Sequence, residues 1–501
     1  MKKILLFFAL LALLFMSCLL EPDDSVGNFW AEDFVGRGFY RVDAELLIQG
    51  DFVRIWAERG TGVDVFTARD VANVVDNEII PWMMYYFGFD SLIINGIKDN
   101  RNTLEIAGSL VGNDHRLDIL FLDIRDGFKP GVNNTFIGGY FWGGNFLDRS
   151  NSNRRSMIYV GVRPYAPGSE VSNAVIAHEL QHLMNFVNSQ VLRNRNLMDL
   201  WIDEGLSSAA EWIFMGGHQN SRVNWFNSDP TGLISQGNNF FVWGNREDEH
   251  PQAVLDDYAT VYLFFQWLRL QSRKPPPNSA SSPWRNSDIF RYIALSPYLD
   301  YRAVTSNVRY IINNARSLRN DDAFAGDWEV LIKSWLAANY INAPDGLFGY
   351  KNDGILSTVR VGYARGDTEI YLYPGEGVFS RISDELPDLV GSNLNIRYTS
   401  WNYHNPGING GVSPADDILL TVNINTNNNG GRESGTITGR SVGKKPLRSI
   451  TAVQPLLTGP FRIGAHDLRR INRHGEWAGS IYIQNLYSLL RNRQAASESS
   501  E

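Results

Sequence analysis

Cysteine is all but missing from this 501-residue chain. The single one, Cys18, closes an N-terminal apolar segment. The body of the protein therefore has no disulfide framework and must be held by core packing. That segment is not a membrane-length run. Ile4 to Met16, behind Lys2 and Lys3, is too short to span a bilayer as a stable helix and reads as an export signal. Positive charge is not in excess: the formal net charge is −8, which argues against a general nucleic-acid binder. No internal repeat recurs at the usual periods. Histidine is scarce, with 8 residues, so a chance cluster at motif spacing is rare.

What is present suits a globular protein of two or three domains: 44% apolar residues and 12% aromatics over a long chain. One stretch stands out. Val175-Ile176-Ala177-His178-Glu179-Leu180-Gln181-His182-Leu183-Met184 reads H-E-x-x-H. Val175, Ile176, Leu180, Leu183, Met184 and Val187 recur at helical spacing, which predicts a helix over about 174–188 with Ser169 or Ser172 as its cap. Two histidines four apart share one side of a helix and can take one zinc ion, with Glu179 beside them to act on a water. Asn188 stands where a metzincin would carry its third histidine, and Asn185 where it would carry glycine, so that class is excluded. The third ligand must come from elsewhere. Trp201-Ile202-Asp203-Glu204-Gly205 opens a second helical pattern, and Glu204 completes a His-His-Glu set with one open position.

His178-Glu179-x-x-His182 followed by Trp201-x-x-Glu204-Gly205 resembles the gluzincin metallopeptidases, in which W-x-x-E-G carries the third ligand. With Tyr258-x-x-x-Tyr262-Leu263-Phe264 downstream, residues 40 to 345 are most similar to the hyicolysin family of secreted bacterial peptidases. The resemblance implies an α+β, two-lobed catalytic domain, with a mixed-sheet N-lobe and a helical C-lobe. It also implies one Zn2+ per chain and a protein or peptide substrate. It places Tyr258 as the donor facing the carbonyl oxygen, with Tyr262, His218 and His250 as alternatives. Some gluzincins carry Asp four residues after the ligand Glu. Here that position is Ser208, which leaves the partner of His178 open among Asp203, Glu211 and Ser208.

Phe15-Met16-Ser17-Cys18 is similar to a relaxed lipobox, with Phe where Leu is usual. The expectation is a signal peptide over 1–17, lipidation at Cys18, and a bacterial lipoprotein held at a membrane, periplasmic or on the cell surface. The expected order is then a tether over 18–36, the catalytic domain over 37–345, a β-rich domain over 346–493 and a frayed tail over 494–501. Strands are expected around Gly50-Asp51, over Leu117–Leu122 and over Ser156–Val162, with a Gly-rich stretch, Gly138 to Phe146, between the last two. Helical patterns cover 68–88 (broken at Pro81), 198–215, 252–272, 287–296, 303–318 and 324–340. Residues 216–250, rich in Gly, Asn and aromatics, are expected to line or cover the cleft, and 274–283 reads as a surface loop. Later strands are expected over 358–362, 368–373, 418–423 and 480–483. Residues 440–493 hold ten Lys and Arg against Asp467 and Glu476, which reads as a solvated basic face.

The chemistry these groups support is peptide hydrolysis, with Glu179 as general base. Aminopeptidases of the aminopeptidase N type carry a carboxylate in the segment matching Gly138 to Phe146, where this chain has none. That favours internal cleavage. The rival readings are an aminopeptidase of the same clan and a surface lipoprotein that keeps the fold for binding or adhesion.

Overall fold

The computed structural model describes residues 26–88, 116–132, 136–146, 150–192, 196–272, 288–314, 328–344, 346–363, 369–382, 396–403, 416–428 and 433–436. Cys18, the signal segment, the 274–283 loop, the basic 440–493 stretch, the 480–483 strand and the tail lie outside them.

Strict alternation builds the first sheet. In β4 (Leu117–Leu122) the residues Leu117, Ile119 and Phe121 point to the helical side, while Leu120 and Leu122 pack on the opposite face with Phe29, Trp56 and Tyr159. A strand apolar on both faces must lie inside a sheet covered on both sides. The sheet runs β1-β2-β3-β4-β6-β5, with β1 Val26–Asp33, β2 Gly38–Gln49, β3 Val53–Glu58, β5 Gly139–Phe141 and β6 Met157–Gly161. The pairs β3–β4 and β4–β6 are parallel and the others antiparallel. Asp118, buried in β4, is matched by Arg54 at 2.7 Å, by Arg155 at 3.3 Å and by the indole N–H of Trp56. The expected strands around Gly50 are the β2–β3 hairpin. Asp76 pins its turn by accepting from the backbone N–H of Asp51 and Phe52.

Two expectations need correction here. Residues 26–33, placed in the tether, form β1, because Phe29 and Ala31 alternate into the second core face. The break at Pro81 is real but comes earlier: α1 (Val65–Val74) passes through a π-helical turn (75–79) into α2 (Ile80–Phe87). Pro81 has no N–H for the preceding turn and sits where a helix start tolerates it.

The remaining helices are α3 Glu170–Phe186, α4 Leu200–Met215, α5 Asn220–Ser228, α6 Ala253–Gln271, α7 Asp288–Ala294, α8 Arg302–Asn314 and α9 Trp328–Ile341. Ser169 caps α3, accepting from the N–H of Ser172 at 3.2 Å. The architecture is thus mixed α+β. Trp201 on α4 anchors an aromatic core with Phe240, Phe241, Phe264, Phe265 and Trp328. A β-carbon at Gly205 would lie 2.1 Å from the Phe265 ring, so glycine lets α4 meet α6 at close range. The Trp and Gly that bracket Glu204 are therefore packing residues that fix where the carboxylate sits.

Five strands follow among the described residues: β7 Glu369–Leu372, β8 Gly377–Ile382, β9 Ile396–Tyr403, β10 Asp416–Asn423 and β11 Glu433–Thr436. They form an antiparallel trio, β8-β10-β9, and the pair β11-β7. They pack on the helices: Phe379 stacks on Tyr340 at 4.7 Å, and buried Glu376 pairs with buried Arg246 at 2.6 Å. The expected strand at 358–362 is absent; a 3-10 turn covers Gly354–Thr358. Asn227 takes the place of a neighbouring strand, donating to the Thr358 carbonyl at 3.0 Å and accepting from the Arg360 N–H at 2.9 Å. No helix among the described residues is long and apolar enough to cross a membrane.

Candidate metal centre

Helices α3 and α4 pack side by side, and three side chains meet between them. Nε2 of His178 lies 3.0 Å from Nε2 of His182, and Oε2 of Glu204 lies 3.4 Å from the first and 3.6 Å from the second. All three residues are buried, and their donor atoms fall within 4.8 Å of one another.

The far side of each imidazole is held by a carboxylate. Nδ1 of His182 is 2.8 Å from Oδ2 of Asp203, and Nδ1 of His178 is hydrogen-bonded to Oε1 of Glu211. An ionised carboxylate only accepts, so each Nδ1 carries the proton and each Nε2 presents its lone pair inward. Two lone pairs and a carboxylate oxygen then face one another among buried groups, an arrangement that a cation relieves. The surrounding carboxylates favour positive charge in this pocket, whether a second proton on an imidazole or a metal ion. Burial disfavours a charged imidazole at both positions. The carboxylates, Glu211 first at His178 and Asp203 first at His182, nevertheless raise both pKa values. A His-His-Glu set of this kind suits a metal ion.

The partners left open by the sequence are now assigned. Glu211, two helical turns beyond Glu204, serves His178, and Asp203 serves His182. Asn185 steadies Asp203 by donating to its other oxygen. The hydroxyl of Ser208 is buried and has no partner among the described residues. Behind Glu211 stands a group with no signal in the sequence. Arg222 donates to both Glu211 oxygens at 3.0 and 3.1 Å, and the Gln219 amide donates to Oε2. Both belong to 216–250, expected to line the cleft; here a short helix, α5, reaches the site from behind. Burial alone would raise the Glu211 carboxyl, but Arg222, then His178, hold it down at about 2.

Glu179 is fully buried, and neither of its oxygens has a hydrogen-bond partner among the described residues. Burial pushes its carboxyl up to about 7, against the pull of the two histidines. Tyr258 is buried too. Its hydroxyl completes no hydrogen bond among the described residues, and burial, then the charge of Glu204, raises its pKa well above the usual range. Tyr262 points elsewhere: its hydroxyl meets His218 Nδ1 at 2.8 Å and accepts from the Gln219 N–H at 3.3 Å. His218 is thereby engaged away from the donor set, on Tyr262 and Asp353. His250 accepts from the Gln252 N–H in its own turn.

Strand β5 closes one side. A β-carbon at Gly139 would lie 2.6 Å from Val175 Cγ1, 2.8 Å from the Tyr159 carbonyl and 3.1 Å from Glu179 Cγ. Only glycine lets the sheet's last strand lie directly on the H-E-x-x-H helix.

No family model matches the chain. Over 241 residues the chain is 27% identical to the neutral metalloprotease ShpI of Staphylococcus hyicus, covering 46% of this chain and 48% of that protein. The chain thus spans about half the length of that relative.

Proposed function

We propose that this chain is an exported zinc metallopeptidase that cuts inside extended protein segments. The observation that carries the reading is an ordered three-donor set beside a buried carboxylate, Glu179, whose oxygens have no partner among the described residues. When bound, zinc supplies a Lewis acid for the substrate carbonyl and lowers the pKa of a water held beside it. Glu179 takes a proton from the attacking water and hands it to the departing amine; a carboxyl pushed up toward neutrality suits both halves of that task. Tyr258 keeps its proton because burial raises its pKa, and so can donate to the oxyanion that forms on the substrate. Glu211 and Asp203 hold the imidazoles in the tautomer that leaves Nε2 free for the ion.

We place the substrate along β5, the last strand of its sheet among the described residues. An extended peptide added to its edge through backbone hydrogen bonds would run alongside the strand whose Gly139 packs on the helix that carries Glu179. Gly138 to Phe146 carries no acidic residue to grip a free α-amine. This favours an endopeptidase over an aminopeptidase. In this reading the first sheet with α3 forms one lobe of the catalytic domain and α4 onward forms the other. The name of the Staphylococcus hyicus relative, a neutral metalloprotease, supports the same chemistry.

The test is metal content joined to cleavage. Purified protein should carry about one zinc per chain, and His182→Ala should lose it. Glu179→Gln should keep the zinc and lose roughly a hundredfold or more in kcat. Normal turnover by Glu179→Gln would sink the mechanism. Wild-type protein that binds zinc but cleaves nothing would favour the binding-module reading. Blocking the substrate's amino terminus should leave the rate unchanged; activity confined to free-amine substrates would favour an aminopeptidase.

A further inference from the structure

Arg222 is 7% exposed and comes from α5, a helix that contributes neither a donor to the candidate metal set nor the general base. Its Nη2 sits against both oxygens of Glu211, and its Nε donates to Oε1 of Gln219 at 2.6 Å. It lies 5.3 Å from the ring centre of Tyr258 and 5.9 Å from that of Tyr262, so two rings define where it can sit. Gln219 is fixed in turn: its backbone N–H donates to the Tyr262 hydroxyl and its amide donates to Glu211.

The plain alternative is a pin that joins α5 to α4. A buried ion pair is a poor pin, because desolvating two charges offsets most of their attraction, and an apolar pair of the same size often packs as well. The feature that a pin does not require is the third partner. The same Glu211 oxygen that Arg222 grips, Oε1, also holds Nδ1 of His178. A carboxylate free to rotate would let the imidazole turn, and a ligand nitrogen that turns moves its lone pair off the ion. One guanidinium nitrogen set between both oxygens, with the Gln219 amide on Oε2 and Arg222 Nε tied back to Gln219, holds the carboxylate plane from two linked side chains.

We infer that Arg222 is a positioning residue for the metal: it fixes Glu211, and through Glu211 the direction in which His178 presents Nε2. The inference rests on the metallopeptidase reading above and extends it to a residue outside the H-E-x-x-H and W-x-x-E-G segments. It makes α5 part of the active site without touching substrate.

The experiment uses full-length protein loaded with cobalt(II), whose visible d–d bands report the geometry of its ligands, together with kcat and KM of the zinc form. Arg222→Met and Arg222→Gln should both shift the cobalt bands. They should lower kcat roughly ten- to a hundredfold, the usual cost of losing a group that orients a ligand, with KM little changed. Glu211→Gln should shift the bands in the same way. In that background Arg222→Met should add little, since the two act as one unit. Arg222→Gln keeps a shorter but polar, hydrogen-bonding side chain at the buried position, which keeps the test open if the methionine variant does not fold. Unaltered cobalt bands in the Arg222 variants would overturn the inference. So would an Arg222→Met penalty that is as large in Glu211→Gln as in wild type. Wild-type protein that takes up neither cobalt nor zinc would instead overturn the parent reading.

Discussion

Oδ2 of Asp203 lies 2.8 Å from Nδ1 of His182, at the ring edge opposite the one that faces Glu204. Consecutive residues of α4 thus address one imidazole from both sides. Asp203→Ala should weaken zinc binding roughly ten- to a hundredfold, because the ring loses the acceptor that fixes its tautomer. Competition against a chromophoric chelator measures this, and an unchanged affinity would remove Asp203 from the site.

The two tyrosines of α6 should separate cleanly. Tyr258→Phe deletes only the hydroxyl that lacks a partner among the described residues. It should cut kcat on the order of a hundredfold while zinc content and KM hold. Tyr262→Phe breaks contacts to His218 and Gln219 instead and should cost about 1 kcal/mol of stability with a smaller effect on kcat. Steady-state kinetics and melting of both variants decide it; equal kcat losses would contradict the assignment.

The acid limb of the rate profile should belong to Glu179. The base must be ionised, so kcat/KM should rise with pH toward a midpoint at or below about 7, a docked cation favouring the carboxylate further. In metal-stripped protein a raised carboxyl has the opposite sign for stability: the fold binds the proton more tightly, so Glu179 makes stability fall as pH climbs from about 4.5 to about 7. Glu211, held at about 2, contributes stability that is present above 4.5 and lost as pH drops toward 2. Urea midpoints across this range, compared with Glu179→Gln and Glu211→Gln, test each sign separately.

Cys18→Ser should move the protein from the membrane fraction to the soluble exported fraction, the motivation being a lone cysteine at the end of the export signal. Unchanged membrane association and processing would end the lipid-anchor proposal.

Much of this was readable from the chain alone. The H-E-x-x-H helix was expected over 174–188 and spans Glu170–Phe186, because its apolar period is unbroken. Glu211 stayed one of three candidates. A residue seven beyond Glu204 shares its helix face, but so does Ser208, and spacing alone does not choose between them. Helix α5 was hidden because its sequence, Asn-Ser-Arg-Val-Asn-Trp-Phe-Asn-Ser, is mostly polar; three apolar residues, Val223, Trp225 and Phe226, bury it. Arg222 and Gln219 left no signal, since their reach to Glu211 is purely tertiary. Val359 and its neighbours look like a strand by alternation. The pairing they would need is supplied by one side chain, Asn227, which no periodicity encodes.

Every residue of α4 from Trp201 to Ile213 is buried. Glu204 and the carboxylates behind the imidazoles therefore have nowhere to swing. Their ordering is supplied by the packing of α4 itself. A folded metalloprotein of that kind differs from one whose ion is its core. Chelation should empty the pocket and leave the shape, and returned metal should restore the original state without refolding. Were the chain exported as proposed, its ion could be loaded at the destination, into a pocket already shaped by packing.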